Sequence, residues 1–107
     1  MNPEPRDTIK PPLFAVIRTR GPAWNDAQPI EGQVEWEAHR SFMNALEEAR
    51  FVIVGGPLEG TADVLLIVRA GGADEIVSRF AEDPWSTRDL LRTGRITPWR
   101  LRIGTLP

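Results

Sequence analysis

The chain has 107 residues, a formal net charge of −2 and no cysteine. This length is typical of one domain that can bury a hydrophobic core. The slightly negative charge argues against nucleic acid or an anionic membrane surface as a partner. The absence of cysteine excludes disulfides and thiolate chemistry. With only one histidine in addition, the composition also argues against a zinc or iron site, and we expect no metal.

No apolar run approaches the roughly 20 residues of a membrane span, and the N-terminus lacks the apolar core of a signal peptide. We therefore expect a cytoplasmic protein with no membrane partner. Residues 1–12 contain four prolines and several charges. That composition is typical of a flexible arm, and it leaves residues 13–107 as the folded domain.

The first half of the chain predicts a strand, a loop and a helix. Residues 13–17 are apolar and rich in β-formers, and the strand that they predict ends at Gly21 and Pro22. A polar loop containing Trp24 follows to about residue 32. Residues 33–50 then show helical periodicity, and one apolar stripe contains Trp36, His39, Phe42, Met43 and Leu46.

The second half predicts five further elements. In chain order they are a strand at 51–54, a strand at 64–68, a helix at 73–81, a short helix from Asp83 to about residue 91, and a strand at 95–103. Asp83-Pro84 is a helix-start signal, with aspartate at the N-cap and proline at the first helical position. Pro98 places the last strand at an edge or a bulge.

The glycine-rich segment 55–60 invites comparison with a phosphate-binding loop. It lacks the Gly-Lys-Ser/Thr ending of that motif and leads into a strand instead of a helix. We interpret the segment as a turn between two strands.

The element order β-α-β-β-α-β is that of the ferredoxin-like split βαβ fold. It predicts an α+β domain with a four-stranded antiparallel sheet and two helices on one face. Because the short strands are apolar on both sides, the other sheet face also needs a cover. A second copy of the same sheet would supply it, which predicts a two-fold symmetric homodimer.

His39 is an ionisable group on an apolar helix face, and two interpretations compete. As a structural residue it would bond its ring nitrogens to backbone, or to Glu35 one turn earlier. As a functional residue it would act as a general acid or base near neutral pH. A base of that kind needs an orienting partner, and Asp83 is the candidate. Asp83 alternatively serves only as the N-cap, although one carboxylate can fill both roles.

Other residues are weaker candidates for a binding site. Arg18 and Arg20, at the end of the first strand, would either steady an anionic substrate or lie in solvent. The chain has four tryptophans and no tyrosine, and most of the indoles belong in a core or an interface. Trp24, in a loop, and Trp85, beside Asp83, are the better candidates for lining a ligand cleft.

Taken together, these motifs resemble the YCII-related (YciI-like) family over residues 13–104. The resemblance rests on His39 in the first helix, the segment FVIVGGPL at 51–58, the segment FAEDPW at 80–85 and the terminal RITPW at 95–99. It implies a dimeric α/β barrel in which His39 and Asp83 form a catalytic pair. The loop containing Trp24 is longer than the family connection, and it would reshape the mouth of the cleft.

The hypothesis is a cofactor-independent lyase or isomerase that acts on a small aromatic or lactone-like molecule. His39 and Asp83 would be catalytic, and Arg18, Trp24 and Trp85 would bind the substrate. The alternative is a non-catalytic dimeric module that binds a small molecule or serves another protein.

Overall fold

The α+β fold predicted from the sequence is present in a computed structural model that describes residues 11–107. The expected flexible arm therefore lies outside the described residues, except for its last two positions. The elements are β1 (Leu13–Arg20), a short 3-10 helix (Ile30–Gly32), α1 (Trp36–Glu48), β2 (Val52–Pro57), β3 (Asp63–Arg69), α2 (Ala73–Phe80), α3 (Pro84–Thr87) and β4 (Leu91–Trp99).

The four strands form one antiparallel sheet in the order β2-β3-β1-β4. This is the order of a ferredoxin-like fold, with β1 at the centre and β4 at an edge, where Pro98 is tolerated. Alternate residues of β1, including Phe14 and Val16, are buried with residues of α1 and α2 such as Leu46 and Ile76. Arg18 shares that sheet face by the period-2 rule of strands, so its side chain enters the interior.

Helix α1 carries the stripe predicted from its periodicity. His39 and Leu46 are buried, and Phe42 and Met43 are half-buried against the core. The helix is shorter than the predicted 33–50, because Glu35 adopts a left-handed conformation with φ 62° just before its first turn. Residues 33–35 therefore belong to the preceding loop, and none of the helices in residues 11–107 has the length and apolarity to cross a bilayer.

The prediction that residues 55–57 form a turn is wrong, because they complete strand β2. A Cβ on Gly55 would lie 2.3 Å from a methyl carbon of Leu66 and 3.0 Å from the Leu65 carbonyl oxygen. The glycine therefore permits close packing inside the sheet instead of a change of direction. The turn comes after Pro57, where Leu58 N–H donates to the Asp63 carbonyl at 2.9 Å and Gly60 has φ 79°.

The predicted bounds of the last helix and strand are also wrong. Helix α3 ends at Thr87, and Asp89, with φ 62°, redirects the chain into β4. Strand β4 spans Leu91–Trp99 instead of 95–103, pairing with β1 along its whole length. The register shifts opposite Ile17, and this bulge breaks the alternation on which the sequence-based bounds relied.

Candidate active site

His39 and Asp83 lie 44 positions apart in sequence and are in direct contact in the structure. The His39 Nδ1 atom is 2.9 Å from Asp83 Oδ2 and 3.0 Å from Oδ1. His39 is 8% exposed and Asp83 is fully buried. The ring is therefore not held by Glu35, which accepts only the backbone N–H of His39, at 2.9 Å. The catalytic role that the resemblance implied for this pair stays a prediction.

Asp83 accepts hydrogen bonds from three elements of the fold. The Arg18 Nη1 atom donates to Oδ2 at 2.8 Å, and the backbone N–H of Trp85 donates to Oδ1 at 3.0 Å. The latter is the predicted N-cap, which is confirmed. Burial alone would raise the pKa of Asp83, but the hydrogen bonds from His39 and Arg18, with the charge of His39, outweigh it and lower the pKa. Asp83 is therefore a carboxylate at neutral pH.

The charge of Asp83 determines the tautomer of His39. A carboxylate can only accept hydrogen bonds, so the proton of a neutral imidazole resides on Nδ1. The lone pair is then on Nε2, which has no hydrogen-bond partner among residues 11–107. Nε2 is also absent from the polar atoms that are both buried and unpaired. The nitrogen that is able to accept a proton is therefore the one that remains accessible.

The lowered pKa of Asp83 predicts an acid-dependent loss of stability. The contribution of this group is fully present above the ordinary aspartate pKa of about 3.9, and it is lost as the pH falls through the lower pKa of the folded state. We expect the free energy of unfolding of the wild type to fall more steeply below about pH 4 than that of Asp83→Asn. Urea titrations at several pH values across this range measure the free energy of unfolding. If it fell equally with pH in the two proteins, the prediction would be wrong.

Arg18 is fully buried, so its interpretation as a solvated strand end is wrong. Besides the bond to Asp83, its Nη2 atom donates to Ser86 Oγ at 2.6 Å, and Ser86 Oγ donates to the Phe80 carbonyl at 2.6 Å. Burial lowers the pKa of Arg18, and the hydrogen bond and charge of Asp83 partly offset this effect. Both terminal nitrogens of Arg18 are thus engaged within the protein, and its charge is compensated by Asp83.

Three tryptophans form a cluster, and two of them, Trp85 and Trp36, lie beside the imidazole. Trp85 is 1% exposed and stacks on His39, with ring centroids 3.7 Å apart and planes 6° from parallel. Its indole N–H donates to the Val34 carbonyl at 2.7 Å, which fixes the ring. Trp24 meets Trp85 edge-on at 5.3 Å, and Trp36 is 5.9 Å from Trp85. Trp85 thus supports the histidine from within the core, while Trp24 is only half-buried.

A residue that the sequence analysis did not single out holds the loop of Trp24 in place. Gln33 is buried, and its Oε1 accepts from Asn25 N–H at 2.9 Å. Its Nε2 donates to the carbonyls of Asn25 at 2.8 Å and Gln28 at 3.1 Å. The sequence pattern places Gln33 at the start of the predicted helix instead of in the loop, so only the structure reveals this role.

We expect Gln33→Ala to loosen the loop. Removing the amide leaves several backbone groups without partners, at a cost of about 1–3 kcal/mol in the free energy of unfolding. Hydrogen exchange should rise across residues 22–33, and the fluorescence of Trp24 should change. Gln28→Ala is the matched control, because the exposed Gln28 side chain donates no hydrogen bond to residues 11–107. Equal effects of the two substitutions would contradict the assignment.

His39 borders a cleft of about 250 Å³ between α1, the Trp24 loop and the sheet. Its walls are mostly apolar and include Trp24, Ile30, Trp36, Met43, Val64, Leu66 and Leu91. Arg18, Arg20 and Asn44 are among the few polar side chains that reach it, and Gly55-Gly56-Pro57 of β2 form part of one side. Residues 11–107 contain no group of three or more metal-ligating side chains. A mostly apolar wall with a few polar groups is typical of small-molecule sites.

The fold and this arrangement define the class of the protein as an α+β domain of ferredoxin-like architecture. No protein-family model matches the chain, and none of the curated proteins is similar in sequence. Membership of the YCII-related family therefore stays a prediction.

The chain is similar to a solved structure of a 5-chloro-2-hydroxyhydroquinone dehydrochlorinase (TftG) from Burkholderia phenoliruptrix AC1100, in complex with 2,5-dihydroxybenzoquinone. The match has 24% sequence identity and a TM-score of 0.52, and it covers 86% of this chain and 95% of the other. This similarity establishes a shared fold.

Proposed function

We propose that this protein is a cofactor-independent enzyme of the lyase or isomerase type that acts on a small aromatic or lactone-like molecule. His39 is the general base and acid, and Asp83 orients it. The observation that carries this proposal is that His39 lines the cleft while its Nδ1 atom is held by Asp83 at 2.9 Å, so that Nε2 is the ring nitrogen left without a partner among residues 11–107.

The reaction begins when Nε2 takes a proton from a carbon or hydroxyl of the bound molecule. The imidazolium that forms has its Nδ1–H directed at the carboxylate of Asp83, which stabilises the positive charge. The face of the Trp85 indole, stacked at 3.7 Å, favours the same charge through a cation–π interaction. The proton then returns to another atom of the substrate or accompanies a leaving group.

Arg18 takes a different role from the one expected from the sequence. Because both of its terminal nitrogens are engaged, with Asp83 and Ser86, we assign it to positioning Asp83 instead of binding the substrate. Trp85 is assigned to positioning His39, because it is 1% exposed and its indole N–H already donates to the Val34 carbonyl. Trp24 remains the proposed lining residue of the cleft. The structural neighbour gives general support, because it is a dehydrochlorinase of a small ring compound.

Labelling with diethyl pyrocarbonate tests the proposal directly, because His39 is the only histidine. The reactivity probe is 5-nitrobenzisoxazole, whose ring opens when a base removes its C–H proton and the N–O bond breaks to give a phenoxide nitrile. We expect turnover of this probe, loss of turnover when His39 is carbethoxylated, and recovery after hydroxylamine removes the label. Turnover that survives labelling, or labelling of His39 in a protein without turnover, would favour the non-catalytic binding module instead.

We further propose that two copies pair through the sheet face opposite the helices. By the strand registers, Ala15, Ile17, Leu65 and Ile67 share that face, and an apolar sheet surface of this kind needs a cover. Val54 and Trp99 lie on it as well and remain 37% and 39% exposed.

Sedimentation velocity should therefore give twice the mass of one chain. Trp99→Glu should shift the equilibrium toward the monomer, because a charge would be buried in the interface. Val77→Glu is the control, since Val77 is exposed on α2, on the other side of the domain. A wild type that sediments as a monomer would refute the dimer.

A further inference from the structure

We infer that Arg20 binds an anionic group of the substrate, so that the cleft selects a planar ring compound bearing a carboxylate or a similar acidic group. The inference rests on the proposed function, because it assigns the substrate class of the same cleft. It depends on the position of Arg20, on the pairing of the other arginines of the cleft with carboxylates, and on the indole that packs against the guanidinium of Arg20.

Arg20 shares the interior face of β1 with Arg18, since the two residues are one period apart along the strand. Their Cα atoms are thus separated by roughly 7 Å. Arg18 reaches Asp83, whereas Arg20 lies at the exposed end of the strand and lines the same cleft as His39. The cleft therefore has a proton acceptor in its wall and a guanidinium nearer its mouth.

The other arginines that line the cleft are already paired with carboxylates. Arg18 is compensated by Asp83 at 2.8 Å, and Arg40 donates to Glu37 at 3.1 Å. Asp63 accepts from Thr19 at 2.8 Å. Thr19 and Asp63 are cross-strand partners, so they point to the sheet face opposite Arg20. Within residues 11–107, Arg20 has no carboxylate at ion-pair distance, so its guanidinium is the cationic group of the cleft that is left for a ligand.

The guanidinium of Arg20 is also held in a useful orientation. Its central carbon is 4.5 Å from the centroid of the Trp24 ring, a contact that occupies one face of the guanidinium. The N–H edges of a stacked guanidinium remain available, and they match a carboxylate in a bidentate pair. The ring of such a ligand would pack against the apolar walls, within the volume of about 250 Å³.

Binding of benzoate and benzamide, two probes of nearly equal shape, tests this inference. We expect the wild type to bind benzoate about tenfold more tightly, as suits one charge-assisted contact that is partly exposed to solvent. Arg20→Gln should abolish this preference, and Arg20→Lys should retain part of it. Arg95→Gln is the matched control, because Arg95 is exposed on β4 and outside the cleft.

Heteronuclear NMR measures the binding of benzoate and also shows where on the protein it binds. Benzoate should shift the indole N–H signal of Trp24 and leave that of Trp99, outside the cleft, in place. Failure of the wild type to bind benzoate, or a preference that survives in Arg20→Gln, would overturn the inference. His39→Gln should keep the preference for benzoate. A wild type that prefers benzoate but shows no turnover dependent on His39 would refute the enzyme and leave Arg20 as an anion-binding residue.

Discussion

Replacing His39 by glutamine is expected to lower the rate constant for opening of 5-nitrobenzisoxazole by about 10²–10⁴-fold, the usual contribution of a positioned general base. Glutamine has a similar reach and can still donate a hydrogen bond to Asp83, but its amide cannot take up a proton. The loss should therefore fall on turnover and leave the fold intact. Stopped-flow or steady-state absorbance of the phenoxide product measures the effect.

Two companion variants make that result specific. Ser41→Ala changes a residue on the outer face of α1 and should leave the rate unchanged. Asp83→Asn keeps the shape of the orienting side chain but lets its amide donate to Nδ1, which favours the wrong tautomer. The ¹⁵N shifts of the single imidazole should show the proton moving from Nδ1 to Nε2, together with a large loss of rate. A His39→Gln protein that retains more than a tenth of wild-type turnover would refute the catalytic assignment.

Asp83→Ala is expected to lower the free energy of unfolding by about 3–5 kcal/mol, because it leaves a buried positive charge without its partner. Arg18 is fully buried and has Asp83 as its anionic partner at 2.8 Å. The same substitution removes the N-cap of α3, which usually costs a further ~1 kcal/mol. Urea denaturation at neutral pH, followed by the fluorescence of the tryptophans, measures the change.

The loss of stability in Asp83→Ala should arise because the unpaired charge of Arg18 is buried, and not because an ion pair is lost. Asp89→Ala breaks the pair of Asp89 with Arg92, which is at least as short at 2.7 Å but exposed to solvent, and it should have a much smaller effect. A double variant in which Arg18→Met accompanies Asp83→Leu should recover most of the stability, because neither charge is then buried. An Asp83→Ala protein as stable as Asp89→Ala would contradict the argument.

The parts of the fold that follow from periodicity could be predicted from the sequence. The stripe on α1 reports directly which side of a helix is buried, and it placed His39 in the interior correctly. The element order then determined the sheet. Where a local signal competed with packing, the prediction failed: Gly55 was interpreted as part of a turn because glycine is common there, whereas it is needed for contact with Leu66.

The candidate site was predictable only as a pair of residues. The Asp83-Pro84 dipeptide predicts an N-cap from the local sequence. The buried role of Arg18, in contrast, depends on which face of β1 lies beneath the helices, and the tertiary structure determines that face. Gln33 gave no signal, since its four hydrogen-bonding contacts are all with its own loop. Arg20 was distinguishable from Arg18 only when the partners of both guanidinium groups were known.

Asp83 joins three elements through one carboxylate, and this has a consequence for how the protein would evolve. Loss of either Asp83 or Arg18 alone would leave a buried charge unpaired, so selection for a stable chain would preserve the pair even in a descendant without the proposed reaction. His39 would be free to drift toward other residues that fit beside Trp85. Among such descendants, the identity of the residue at position 39 would therefore report whether the chemistry had been kept, and an aspartate at position 83 would not.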